Sequence, residues 1–474
     1  MPARFLNRTD ELAMLARRWE SRESQIFLLW GRRRVGKTEL LLEFGRDKTT
    51  LFFEATSGTR FDHLRDFSER LAEVTGAGTG FVASDWRAAL DAIADWAETE
   101  GPVLLVLDEF QHIARQSPEV GTTINVWWRE RGSSAPVLVV LSGSEVGFFE
   151  REVVSYSAST YGRRGGQLRL EPFKPRDVGL FLPTWSAEDR IRAYAVFGNM
   201  PYYLAHVREE SSLEENILDL ILMRDGLLHE EARLLLDVEL PDASIYFSVL
   251  RAIAAGQTRV SQIDQRTGIG DSSRVSQMLD QLQRLWLVRK EVPVTVRNPE
   301  RSRQSFYRLT DPYLRFWFRF VLPAQGRLVD AGGAKRHLEG GVAARLDEFV
   351  AAPAFEEVCQ EWMRREVDAA AVGWWWGKVR EMQSSRLRDV DRELDAVAVD
   401  DEGAVIALGS CKWTDAEVPP SELTKLKALA AYLNPGAEPL LFVFARSGFD
   451  RSLREAANGD SKIRLVRVED VAGP

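Results

Sequence analysis

A chain of 474 residues, 45% hydrophobic and 28% charged, has the length of about three domains and enough apolar material for a core in each. Two cysteines, Cys359 and Cys411, exclude a disulfide framework, five scattered histidines argue against a zinc site, and no apolar run approaches the roughly 18 residues of a membrane span. The start, Met1-Pro2-Ala3-Arg4, lacks the apolar stretch of a secretory signal, so a reduced, cytoplasmic setting is expected, and a net charge of −9 speaks against bulk coating of nucleic acid.

Taken in order, the chain opens with Phe5-Leu6-Asn7-Arg8-Thr9 ahead of Leu12, Leu15 and Trp19, whose spacing predicts a helix. Asn7 or Thr9 would cap it, and Asn7 and Arg8 are candidates for a base pocket. Ile26 to Trp30 reads as a buried strand, followed by Gly31-Arg32-Arg33-Arg34-Val35-Gly36-Lys37-Thr38 and a helix from Glu39. Strand, glycine loop and helix is the setting in which this spacing cradles phosphates. Backbone N–H groups converge on the anion, Gly31 and Gly36 allow close wrapping, Lys37 reaches the β- and γ-phosphates, and Thr38 ligates Mg²⁺.

Leu51 to Ala55 reads as a second strand. Val103 to Leu107 is a continuous apolar strand that ends in Asp108 and Glu109. Asp108 would hold Mg²⁺ through water, and Glu109 would orient the attacking water. Pro136 to Leu141 is a further strand, ending in Ser142-Gly143-Ser144, where either serine could sense the γ-phosphate. In Tyr161-Gly162-Arg163-Arg164-Gly165-Gly166, Arg163 is the candidate arginine finger, acting in its own chain or in a neighbour's.

These segments, with Leu107-Asp108-Glu109-Phe110-Gln111, resemble the archaeal-type P-loop ATPases, close to the STAND and AAA+ branches. The resemblance implies an α/β P-loop NTPase core over 1–174 with a parallel sheet of order 5-1-4-3-2. It also implies a helical lid over 175–240, in which Gly198-Asn199-Met200-Pro201 faces the nucleotide, and ATP bound between sheet, lid and N-terminal box.

In the middle, helices are expected over 245–255, 260–267 and 272–287, the last with Val275, Met278, Leu279, Leu282 and Leu285 on one face. Strands at 287–290, Val292 to Val296, and Phe306 to Leu309 complete a winged helix-turn-helix within 241–323. Residues 245–309 carry eleven basic and five acidic side chains, a net +6 that leaves −15 for the rest of the chain. A basic module in an acidic protein points to duplex DNA, with Ser273, Arg274 and Gln277 at a major groove and Arg297, Arg301 and Arg303 on the wing. The alternative is a relay that packs on other domains. The aromatic run Tyr313 to Val321 reads as a buried connector, and 324–341 as a linker.

Over 340–474 the order helix, three strands, helix, strand resembles the restriction-endonuclease-like fold. Glu356, Asp395 and Lys412 match its acidic and lysine positions, while Ser410 replaces the carboxylate of its Glu-x-Lys pair. Hard cations need carboxylate oxygens, so a degenerate site is expected, with Glu393 and Asp415 as the nearby acids. The tryptophans 374–376 read as core strand residues. The whole reads as an ATP- and Mg²⁺-dependent ATPase that couples to duplex DNA without an intact nuclease site. The alternative is a regulatory switch for a protein partner, without DNA cleavage. A nucleotide-dependent homo-oligomer fits either.

Overall fold

The structure, a computed structural model, describes residues 5–473 except 77–81, 155–163, 241, 303, 384–385 and 437. It divides into two compact units, Met1–Pro172 and Phe173–Pro474.

The first unit runs α1 (Thr9–Glu20), β1 (Gln25–Trp30), α2 (Lys37–Gly45), β2 (Thr50–Glu54), α3 (Arg60–Thr75), α4 (Trp86–Glu100), β3 (Val103–Asp108), α5 (Phe110–Gln116), α6 (Val120–Trp127), β4 (Val137–Gly143) and β5 (Arg164–Arg169). The strands form one parallel sheet in the order β2-β3-β4-β1-β5, the expected 5-1-4-3-2 read from the other edge. Every residue of β3 and β4 is buried, because helices cover both faces of a parallel sheet. The glycine loop therefore leaves β1, and Asp108 ends β3, at the carboxyl edge where open sheets bind ligands.

In the second unit, residues 175–240 are short helices, including α7 (Ala187–Phe197), whose N-terminus is capped by Ser186. Pro201 opens a helical turn at its first position, the structural role expected for it, and Gly198 adopts φ +73°. Then come α8 (Ala243–Ala254), α9 (Val260–Thr267), α10 (Ser272–Arg284) and the antiparallel ribbon β6 (Val288–Glu291) and β7 (Phe306–Leu309). Asp271 caps α10 by accepting from the Ser273 and Arg274 amides, and Val275, Met278, Leu279, Leu282 and Leu285 are all buried.

Two expectations fail here. Val292 to Val296 does not continue the ribbon. Pro293 lacks a ladder donor, and the Val294 amide bonds the Trp374 carbonyl at 2.9 Å instead. Nor is 324–341 a solvated linker. It holds a helix, Ala331–His337, and Leu328, Ala334 and Leu338 are buried. Gly333 is there for close approach, since a Cβ would lie 1.9 Å from the Arg327 carbonyl oxygen.

The chain closes with α11 (Glu356–Glu366), β8 (Ala371–Gln383), β9 (Arg386–Val399), β10 (Val405–Lys412), α12 (Pro420–Leu433), β11 (Leu440–Ala445) and β12 (Ile463–Arg467), in the order β12-β11-β10-β9-β8. The pairs β8–β9 and β9–β10 are antiparallel, and β10–β11–β12 are parallel; the expected helix, three strands, helix, strand is present, with β12 as an edge strand beyond it. The β8–β9 hairpin extends beyond the expected 371–376 and 393–399. Its outer part is held by charge pairs, Arg380 with Asp389 at 3.3 Å and Arg392 with Glu381, so it shows no apolar alternation to read.

Candidate functional site

In the first unit, the glycine loop and the end of β3 converge. A Cβ at Gly31 would lie 2.5 Å from the Leu170 carbonyl oxygen, and Gly36 adopts φ +88°, so both positions demand glycine. Arg32 and Val35 are buried, Arg33 is exposed, and Glu39 stands exposed in the first turn of α2. The Lys37 ammonium is buried and donates to the Gly31 carbonyl at 3.1 Å. The Thr38 hydroxyl donates to Asp108 Oδ2 at 2.8 Å, bringing two motifs 70 residues apart into contact.

Asp108 is fully buried, and its other oxygen accepts the Glu109 amide at 3.0 Å. Glu109 Oε2 accepts the Ser144 hydroxyl at 2.8 Å and the Gln111 amide. Burial pushes the Glu109 carboxyl up, but the Lys37 charge and these hydrogen bonds outweigh it and hold the group below its ordinary range. Among the described residues, six non-glycines have left-handed φ, and Asn7, Arg8, Arg34 and Glu109 all belong to this loop system. Strain held in one place marks a functional backbone.

Other residues at the site depart from expectation in detail. Arg8 is buried and bonds Glu11 at 2.8 Å, the Val35 carbonyl at 3.0 Å and the Glu171 carbonyl at 2.7 Å. It braces the glycine loop, while Asn7 is exposed. Ser142 is fully buried, and its hydroxyl has no partner among the described residues, whereas Ser144 engages Glu109. Arg163 lies outside the described residues.

Sequence reasoning missed Glu54, which lies opposite Asp108 in the β2–β3 register. Burial first, then the charges of Asp108, Glu109 and Glu39, push its carboxyl up. Glu54 thus feels three other carboxylates at the carboxyl edge, and Thr38 and Asp108 supply hard oxygen donors there. That donor set fits Mg²⁺, which binds through one or two carboxylates plus phosphate and water.

The second unit has its own charged centre. Glu357 on α11, its side chain about nine-tenths buried, takes both arms of Arg315, at 2.8 and 2.6 Å, and the Tyr194 hydroxyl at 2.9 Å, with Arg289 at 3.7 Å. Beside it, Glu356 accepts the Trp374 indole at 2.6 Å. Burial and the Asp395 charge push the Glu356 carboxyl up to about 7. Asp395, also pushed up by burial, accepts the Cys411 amide at 2.7 Å.

Lys412 pairs at 3.2 Å with Glu422 on α12, which also lies 3.4 Å from the Ser410 hydroxyl. The carboxylate beside Ser410 is therefore Glu422. Asp415 pairs instead with Arg446, and Glu393 is exposed. Helix α12 places Glu422, a tertiary effect that strand spacing cannot reveal. Among the described residues, no group of three or more His, Cys, Asp or Glu is arranged to hold a metal ion, while Glu356 feels the charge of Asp395 and Asp395 that of Lys412.

The ribbon β6–β7 is seated on this domain. Arg308 lies 4.6 Å and Arg289 5.2 Å over the Trp374 ring, Phe306 is 4.6 Å from Trp376, and Arg297 bonds the Glu402 carbonyl at 3.4 Å. Trp374 and Trp375 are buried, as core strand residues are. Ser273, Arg274 and Gln277 of α10 are exposed, as is Arg301, and Arg303 lies outside the described residues.

Among known proteins, residues 5–207 match an ATPase domain predominantly from Archaea, and residues 317–425 match archaeal and bacterial proteins of unknown function. An uncharacterized protein of Methanocaldococcus jannaschii is 23% identical over 82% of this chain and 85% of its own length. An uncharacterized ATP-binding protein of the same organism is 46% identical over 9% of this chain and 75% of its own. The Walker-type ATPase of Pyrococcus abyssi aligns over 66% of this chain and 96% of its own, with TM-score 0.51 and 19% identity, a likeness of fold. No helix among the described residues is long and apolar enough to cross a membrane. With the glycine loop, Thr38 and Asp108 in contact on a 5-1-4-3-2 sheet, residues 5–207 are an archaeal-type ATPase domain, joined to a C-terminal domain of a kind found in archaeal and bacterial proteins of unknown function.

Proposed function

We propose that the protein is a Mg²⁺-dependent ATPase whose turnover is coupled to contact with duplex DNA. The observation that carries the hydrolytic part is the 2.8 Å bond from Thr38 to Asp108, with Glu109 next in the chain. Amides of the loop Gly31 to Lys37 and the start of α2 would cradle the phosphates, and Lys37 would bind the β- and γ-groups. Thr38 and Asp108 would hold Mg²⁺, which when bound neutralises phosphate charge. Glu109 would orient the attacking water, and Arg163 would neutralise charge late, in its own chain or across a nucleotide-dependent homo-oligomer. Residues 175–240 are then the lid, 241–323 a winged helix with its connector, and 340–474 a nuclease-like domain without cleavage.

The DNA part is supported by the net +6 of residues 245–309 and the exposure of Ser273, Arg274 and Gln277 on α10. The test is ATP hydrolysis with and without duplex and branched DNA, alongside binding across a salt series. Duplex DNA should stimulate hydrolysis. Each of Arg274→Ala and Arg301→Ala should weaken binding and lower the salt slope by about one. Hydrolysis indifferent to DNA, with no salt-sensitive binding, would remove DNA from the function.

A different observation favours the second reading, a regulatory switch for a protein partner. The ribbon that would form a DNA-touching wing is occupied by Trp374 and Trp376. The thiols of Cys359 and Cys411 influence each other and feel the charges of Glu356 and Asp395, so they report on this region. Labelling by an aromatic disulfide reagent is expected to be slow in the intact protein and faster in the Phe306→Ala, Arg308→Ala double variant. ATP alone speeding the labelling would support the switch. Identical rates with and without ATP would count against it.

A further inference from the structure

Gln111 is the most sequestered side-chain amide at the ATPase site, and it has no part in the functional reading above. It lies in the first turn of α5, at 1% exposure. Its Nε2 donates to Glu109 Oε2 and reaches the Ser144 hydroxyl at 3.4 Å. The Ser144 hydroxyl donates to the same Glu109 oxygen at 2.8 Å, which closes a triangle of three side chains.

Two neighbours are shaped around the amide. A Cβ on Gly143 would lie 2.3 Å from Gln111 Oε1 and 2.2 Å from the Phe149 ring, so glycine leaves the room that the amide fills. Gln111 Oε1 has no hydrogen-bond partner among the described residues. A buried amide with one end unpaired is costly, and an apolar side chain of similar shape would fill the space at less cost. Packing alone therefore does not account for glutamine here. The contact that does is the one to Glu109, whose backbone is held at φ +51° and whose carboxylate oxygen accepts from both Gln111 and Ser144.

We infer that Gln111 is a positioning residue: with Ser144 it fixes the orientation of the Glu109 carboxylate, linking the end of β3 to the end of β4. This rests on the reading that Glu109 orients the attacking water. The hydrogen bonds act on one oxygen, so the two donors work as a unit and their losses are not independent. Groups that orient a reacting side chain usually matter by roughly 10- to 100-fold in activity, with little effect on substrate affinity.

The experiment uses the full chain and measures kcat, KM and equilibrium binding of ATP for Gln111→Leu, Ser144→Ala and the double variant. Gln111→Leu should lower kcat by roughly 10- to 100-fold while KM and ATP affinity change by less than about twofold. The double variant should lose less than the product of the single losses. Should Gln111→Leu fail to fold, Gln111→Asn, which keeps the amide but shortens its reach, and Ser144→Ala carry the same kcat–KM split.

Wild-type kcat in the Gln111 variants, or losses that multiply independently, would overturn the inference. Glu109→Gln is measured in parallel to separate the two levels. If it hydrolyses ATP at the wild-type rate, the reading of Glu109 fails. If it is inactive while the Gln111 variants are fully active, the positioning role alone fails.

Discussion

Lys37→Ala is expected to lower ATP hydrolysis by roughly 10²- to 10³-fold, the scale of losing one preorganised donor at a developing charge. The buried ammonium is held 3.1 Å from the Gly31 carbonyl, inside the loop that would enclose the phosphates. A buried ammonium inside such a loop is placed where a bound anion would complete its environment. Lys37 also has the strongest lowering influence on the Glu109 carboxyl, so its removal weakens a second group of the site. Hydrolysis and equilibrium ATP binding should be followed separately. Undiminished turnover in Lys37→Ala would remove the glycine loop from the chemistry.

The largest stability effect is expected in the second unit. Glu357→Ala, or Arg315→Ala, should destabilise it by about 3–5 kcal/mol, because each leaves an uncompensated charge in a buried place. Both side chains are about nine-tenths buried, and the pair is doubly bonded at 2.8 and 2.6 Å. Replacing both residues by apolar ones of similar volume should recover most of the loss. The measurement is the urea midpoint of the full chain, followed by near-UV circular dichroism. A shift of the single variants no larger than that of an exposed pair such as Arg451 and Glu455 would show that the buried pair is dispensable.

The same pair sets a pH dependence. Burial raises the Glu357 carboxyl, but Arg315, Arg289 and Tyr194 outweigh it, so the folded value lies below the ordinary 4.5. A depressed carboxyl contributes its full stability above the unfolded value. It loses that contribution as the pH falls from there through the folded value. Glu357→Gln should therefore flatten the acid limb of the stability curve.

Much of this was legible in the sequence, for local reasons. The glycine loop, the apolar run into Asp108-Glu109 and the stripe Val275, Met278, Leu279, Leu282 and Leu285 are patterns whose period and residue types state their own structure. The linker expectation failed because glycine has two uses. At Gly333 it serves close packing, which looks in sequence like flexibility. The outer hairpin of β8 and β9 was missed because charge pairs, not apolar alternation, hold it.

The sequence by itself determined the separate strands, the glycine loop and the acidic end of β3, which follow from residue type and spacing within one segment, while the sheet order and the lost carboxylate at Ser410 were expectations that the family resemblances implied. Only the tertiary structure decided that Gln111 and Ser144 share Glu109, that Arg8 braces the loop, that Glu422 stands beside Ser410, and that the ribbon rests on Trp374. Those contacts join segments that lie apart along the chain. A side chain's partner across such a gap is set by packing and burial, which no local pattern encodes.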